Sequence, residues 1–121
     1  MTTQEAASHY HQLASQRKFI EIQDTLYHED VVCQEPDKAT SMGMPVFTNG
    51  REAVKAKGVA RRAMIETVHT YNVSEPIVAG EFFSVVLKQE VTFKGKPRMT
   101  FEEIGVFHVK DGKIVKEQFF Y

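Results

Sequence analysis

The sequence predicts an α+β domain in which three N-terminal helices pack against a long, curved antiparallel sheet, a cone-shaped half-barrel enclosing a pocket for a small molecule. Three observations lead there. Apolar residues recur at three and four positions in the first half of the chain, they recur at every second position after Glu66, and the strands so defined are too long to lie flat in a chain of 121 residues. Three strands of about 12 residues at about 3.4 Å per residue would run roughly 40 Å if straight, wider than so small a domain. They have to bend, and a bent sheet with helices on its concave side leaves space inside.

The length suits one domain spanning residues 1–121, large enough to bury a core without cross-links. Fifteen Lys plus Arg against sixteen Asp plus Glu leave a net charge of -1. Such a balance gives no footprint for nucleic acid. The basic groups Lys55, Lys57, Arg61, Arg62 and Lys94, Lys96, Arg98 read as solvated faces, each diluted by neighbouring Glu. The single cysteine, Cys33, excludes an intrachain disulfide and a cysteine metal cluster. A polar start from Met1 to Ala7 and the lack of any run of about 20 apolar residues predict no signal peptide, no membrane span and a cytoplasmic location.

Thr2 and Glu5 have the spacing of a capping box, so a helix is expected from about Gln4 to Ser15 with Ala6, Tyr10, Leu13 and Ala14 inward. A second helix, about Arg17 to Leu26, buries Phe19, Ile20, Ile22 and Leu26, and Tyr27 to Asp30 end it. Val31 to Glu35 reads as a short strand stopped by Pro36. Residues 37–49 show neither period. So long an irregular stretch suits a binding loop, with Met42, Met44 and Phe47 as an adaptable apolar rim. A third helix runs from about Gly50 to Ile65, with Ala53, Val54, Ala60, Met64 and Ile65 inward and Gly58 costing about 1 kcal/mol.

Strands follow at about Thr67 to Ala79, Glu81 to Phe93, Arg98 to Lys110 and Lys113 to Tyr121, and Asp111-Gly112 is the strongest hairpin signal. In the second of these, Phe83, Val85, Leu87, Gln89, Val91 and Phe93 alternate with polar residues and face the helices. The same parity places His69, Tyr71 and Val73, then Val115, Glu117, Phe119 and Tyr121, inside. The third strand is apolar on both faces, through Met99, Phe101, Phe107 and Val109 on one and Ile104 and Val106 on the other. Two apolar faces predict that both are covered, the outer one by a second subunit of a homodimer.

The order of helix, helix, short strand ending in Glu35-Pro36, loop, helix opening at Gly50-Arg51-Glu52-Ala53 and meander closing in Asp111-Gly112-Lys113-Ile114-Val115 resembles the nuclear transport factor 2-like superfamily, and within it the SnoaL-like branch. Ketosteroid isomerases, SnoaL polyketide cyclases, scytalone dehydratase and limonene epoxide hydrolase share that fold, as do members that are not enzymes. In the isomerases the first strand ends in an Asp-Pro pair whose carboxylate shuttles a proton, and Gln34-Glu35-Pro36 is similar to it. The resemblance makes Glu35 the first candidate for a general base, since a carboxylate at the rim of an apolar cavity loses hydration. It puts Gly105 where the isomerases carry their protonated Asp, and Tyr10 or His11 near their helical Tyr. An oxyanion would then fall to His11, Tyr10 or a protonated Glu103.

SnoaL-type cyclases use an acid and a histidine without metal, which adds His69. Glu35, His69, Tyr71, Glu103, Glu117 and Tyr121 are thus the inward polar groups, although a one-residue shift would leave Glu103 or Glu117 in water. His9 and His11 lie two apart on a helix and cannot chelate together, so no metal or other cofactor is expected. Cys33 shares the parity of Glu35 and reads as a small core residue rather than a nucleophile. Two functions fit: a cofactor-independent isomerase, cyclase or dehydratase acting on an apolar or polyketide-like molecule, or a non-catalytic dimeric binding module whose cavity is filled by its own side chains.

Overall fold

A computed structural model describes all of residues 1–121. The capping box forms as expected: Thr2 Oγ1 accepts the Glu5 N–H at 3.1 Å, and Glu5 Oε1 accepts the Thr2 N–H at 2.9 Å. It opens α1 (Thr3–Ser15), followed by α2 (Phe19–Leu26). Ala6, Ala7, Tyr10, Leu13 and Ala14 of α1 are buried, as are Ile22 and Leu26 of α2, whereas Ile20 faces solvent.

Tyr27 to Asp30 do not end a helix; they begin β1 (Tyr27–Gln34). Loop 37–49 is more ordered than its composition suggests, holding a 3-10 helix (Asp37–Met42) and the short β2 (Phe47–Asn49). Gly50 caps α3 (Arg51–Ala63), in which Val54 alone is fully buried; Ala53, Ala60 and Met64 are exposed. Then come β3 (Ile65–Val73), β4 (Ile77–Ala79), β5 (Phe82–Phe93), β6 (Arg98–Lys110) and β7 (Lys113–Phe120). Asp111 and Gly112 both adopt positive φ, 50° and 76°, which a type I′ hairpin requires.

The sheet order is β2-β1-β7-β6-β5-β3, with β4 beside β5. The meander from β3 to β7 is antiparallel as expected, but β1 joins β7 in parallel, so the sheet is mixed. A parallel neighbour was hidden in sequence because β1 and β7 lie far apart in the chain. The helices cover the concave face and the sheet does not close into a barrel, which gives the nuclear transport factor 2-like cone.

Two β-bulges correct the expected parity. One between Val68 and Thr70 turns His69 outward, where its Nε2 lies 2.8 Å from Thr92 Oγ1. The other, between His108 and Val109, buries Ile114 in place of Val115. On the concave side Phe83 and Phe107 stack at 4.8 Å and 14°, with the Tyr10 ring 4.6 Å from Phe107. The Phe83 and Phe107 rings fill the space over their rungs as solid core rather than lining a pocket.

Candidate functional site

Beside that core the same strands open onto a cavity of about 150 Å³, between the inner faces of β5, β6 and β7 and the helices α1, α2 and α3. Pairing places Leu87 opposite Glu103, Val85 opposite Gly105 and Phe107 opposite Glu117, which carries two carboxylates of the meander inward. Glu35 follows β1 immediately; its N–H donates to the Val46 carbonyl at 2.7 Å, and Pro36 then turns the chain away. Tyr121 closes the ring from beyond β7, its hydroxyl donating to Glu35 Oε2 at 2.9 Å.

The cation serving these acids is Lys57. Its Nζ donates to Glu35 Oε1 at 3.2 Å and to Cys33 Sγ at 2.8 Å, and only 16% of its side chain is exposed. The basic residues of α3 are therefore not a solvated face. Val54, Lys57, Gly58, Arg61 and Ile65 recur at helical spacing and all line the cavity, while Lys55 on the other side reaches Asp24. Arg61 lies over the rings of Phe101 and Phe93 and donates to Met44 Sδ at 3.1 Å.

Three carboxylates gathered at one cavity cannot all ionise freely. Burial, and then the charge of Glu35, pushes Glu103 up to about 7 against an ordinary 4.5, with Arg61 opposing. Burial likewise raises Glu117, although the Tyr27 hydroxyl donates to it. Cys33 is pushed far above the thiol range by burial and by Glu117, so it remains a thiol and not a nucleophile. Tyr71 is raised to about 12 by burial, and its hydroxyl donates to the Ala14 carbonyl at 2.6 Å.

Of the residues expected at the pocket, Tyr10, Phe19, Glu35, Leu87, Glu103, Glu117, Phe119 and Tyr121 line the cavity. The rest do not, for identifiable reasons. His69 is turned away by its bulge. His11 leaves α1 beside Tyr10 and points to Glu75, 3.8 Å off. Cys33 lies behind Lys57, and Tyr71 stands edge-on behind Phe19. Phe83 and Phe107 are core, while Met42 and Phe47 are half exposed, away from the cavity. Met44 approaches only through Arg61.

Gly105 has a packing reason: a Cβ there would lie 2.9 Å from the Phe107 ring and 3.2 Å from that of Phe119. Any side chain at this position would press on both rings. Lys57, Arg61 and Tyr27 escaped sequence reasoning, although the spacing of Lys57 and Arg61 with Val54 was visible. Two carboxamide oxygens of cavity-lining residues, those of Gln23 and Gln89, have no partner. Both oxygens are buried, and a buried acceptor left unpaired costs about 1–3 kcal/mol. No group of three or more His, Cys, Asp or Glu is arranged to hold a metal, and no helix is long and apolar enough to cross a membrane.

The whole chain, residues 1–121, matches the family model described as SnoaL-like domain. No curated protein matches it. Among solved structures it is similar to a candidate SnoaL-like polyketide cyclase (carbohydrate phosphatase) from Mesorhizobium loti, with 30% identity over 100% of both chains and a TM-score of 0.91. A protein with a ketosteroid isomerase-like fold from Catenulispora acidiphila, in complex with trimethylamine, is 19% identical over 97% of this chain and 85% of that one, TM-score 0.72. IdmH, a candidate polyketide cyclase from Streptomyces antibioticus, is 18% identical over 99% and 91%, TM-score 0.73. The last two share the fold.

Proposed function

The chain belongs to the SnoaL-like domain family, and from that premise we propose that it binds a small, largely apolar organic molecule and moves a proton on it, as an isomerase, cyclase or dehydratase would. The observation that carries this reading is the set of three inward carboxylates, Glu35, Glu103 and Glu117, at a cavity also lined by Lys57 and Arg61. Glu103, half-protonated near pH 7, is suited both to give and to take a proton. Glu35, its charge met by Lys57 and Tyr121, is the fixed base. Lys57 and the Tyr121 hydroxyl then supply the positive field and the donor that a developing enolate needs, in place of the histidines. The candidate cyclase names among the structural relatives support the same class of substrate.

The test is exchange of the α-hydrogens of 2-tetralone, an enolisable bicyclic ketone, for deuterium in D2O, followed by NMR. The protein is expected to accelerate it, and Glu103→Gln and Glu35→Gln to lose the acceleration. Exchange at the wild-type rate in both variants removes the assignment. Binding without exchange favours the non-catalytic module, a reading supported by how fully Glu35, Lys57 and Tyr121 already satisfy one another.

The homodimer is also part of the proposal. Val86, Ile104 and Phe120 form one cross-strand row on the outer face of β5, β6 and β7, each 44–47% exposed. A second copy covers this row. Light scattering that gives one chain mass at micromolar concentration would remove it.

A further inference from the structure

Gly58 stands in the middle of α3, where glycine is a poor helix former. The space its missing side chain leaves is used: Nη1 of Arg62 lies 2.9 Å from where a Cβ would be. Arg62 is thus folded back along the helix, with its guanidinium over the Phe19 ring at 5.2 Å. Arg17, between α1 and α2, has a φ of 57°, a left-handed conformation that L side chains seldom adopt. Its guanidinium lies over the Tyr71 ring at 5.4 Å, and Tyr71 meets Phe19 edge-on at 6.4 Å. Two departures from local preference therefore bring two guanidiniums onto one aromatic pair.

Both arginines line the cavity and also the shallow depression outside it, which puts them at its mouth. Neither guanidinium has an ion-pair partner. Of the acids in the depression, Asp24 is held by Lys55 at 2.5 Å and Glu21 pairs with neither arginine. Burial and then the charge of Arg17 disfavour the Arg62 cation, as expected of like charges left together. Gln23, 7% exposed, lines the same cavity with its side-chain oxygen unpartnered.

We propose that Arg17 and Arg62 form an anion subsite that takes the carboxylate of a small aromatic or unsaturated organic acid and so orients its body toward Glu103. This rests on the ligand-cavity reading above and narrows it to acidic ligands. Planar guanidiniums offer paired donors matched to a carboxylate, and stacking on Phe19 and Tyr71 holds their planes in place.

Benzoate and its uncharged isostere benzamide, titrated against the full chain and followed by backbone amide NMR, test it. Benzoate is expected to bind at least about tenfold more tightly, with shifts at both Arg62 and Glu103. The preference should fall to about unity in the Arg17→Gln, Arg62→Gln double variant, and should weaken in Gly58→Ala, whose added Cβ displaces Arg62 while favouring the helix. Raising the salt concentration should reduce the preference in the unaltered protein. Equal binding of the two probes, or a benzoate preference that survives in the double variant, overturns the subsite and leaves the cavity reading standing. Binding of neither overturns both.

Discussion

Two stretches of the same three strands, one rung apart, have opposite characters. Around Phe83, Val85, Phe107 and Ile114 the concave face is apolar but for Glu117 opposite Phe107, and it is stacked and packed against Tyr10 and the alanines of α1. Around Leu87, Gln89, Glu103 and Tyr121 it is polar and open beneath α3. Gly105 sits at the boundary, and the rings of Phe107 and Phe119 lean over it. Close packing supplies stability at one end, while at the other the protein keeps unpaired acceptors and crowded carboxylates that destabilise it, an arrangement typical of sites held ready for ligands.

The largest effect should come from the sealed end. Phe107→Ala removes a fully buried ring from a stack and is expected to lower unfolding stability by about 4 kcal/mol in a denaturant titration. A loss below about 1 kcal/mol would mean that this end is not the packed one. Next, Lys57→Met strands Glu35 without its cation and should cost about 3 kcal/mol at pH 7.

Glu103→Gln acts the other way. The folded protein holds the Glu103 proton up to about 7 while the ordinary value is 4.5, so wild-type stability falls as pH rises between those values. The Gln variant lacks that penalty: up to about 3 kcal/mol more stable than wild type at pH 8, no different at pH 4. A pH-independent difference would show that Glu103 is not desolvated. Lys55→Met is the smallest. Lys55 is only two residues from Lys57 but meets Asp24 at the surface, and its loss should leave the denaturation midpoint unmoved.

Elements with one dominant period were legible: the capping box, the Asp-Gly hairpin, the long β5 and β6 and the inward set Leu87, Glu103, Glu117, Phe119 and Tyr121. Glu35 was legible through its proline. His69 was not, because a bulge leaves no mark in an alternating sequence and flips every residue up to the next correction. Lys57 and Arg61 were overlooked because charged residues are usually solvated; their shared stripe with Val54 was the available signal.

By itself the sequence determined that the first half of the chain is mainly helix and the second half strand, and which faces of α1 and β5 turn inward, because backbone preference and apolar periodicity act within one segment. Only tertiary structure decided that β1 lies parallel to β7, that Phe83 and Phe107 pack solid while Glu103 meets a cavity, and that Lys57 stands among Cys33 and Glu35. Those outcomes depend on which distant groups share a low-dielectric space, and that proximity is written in no single stretch of chain.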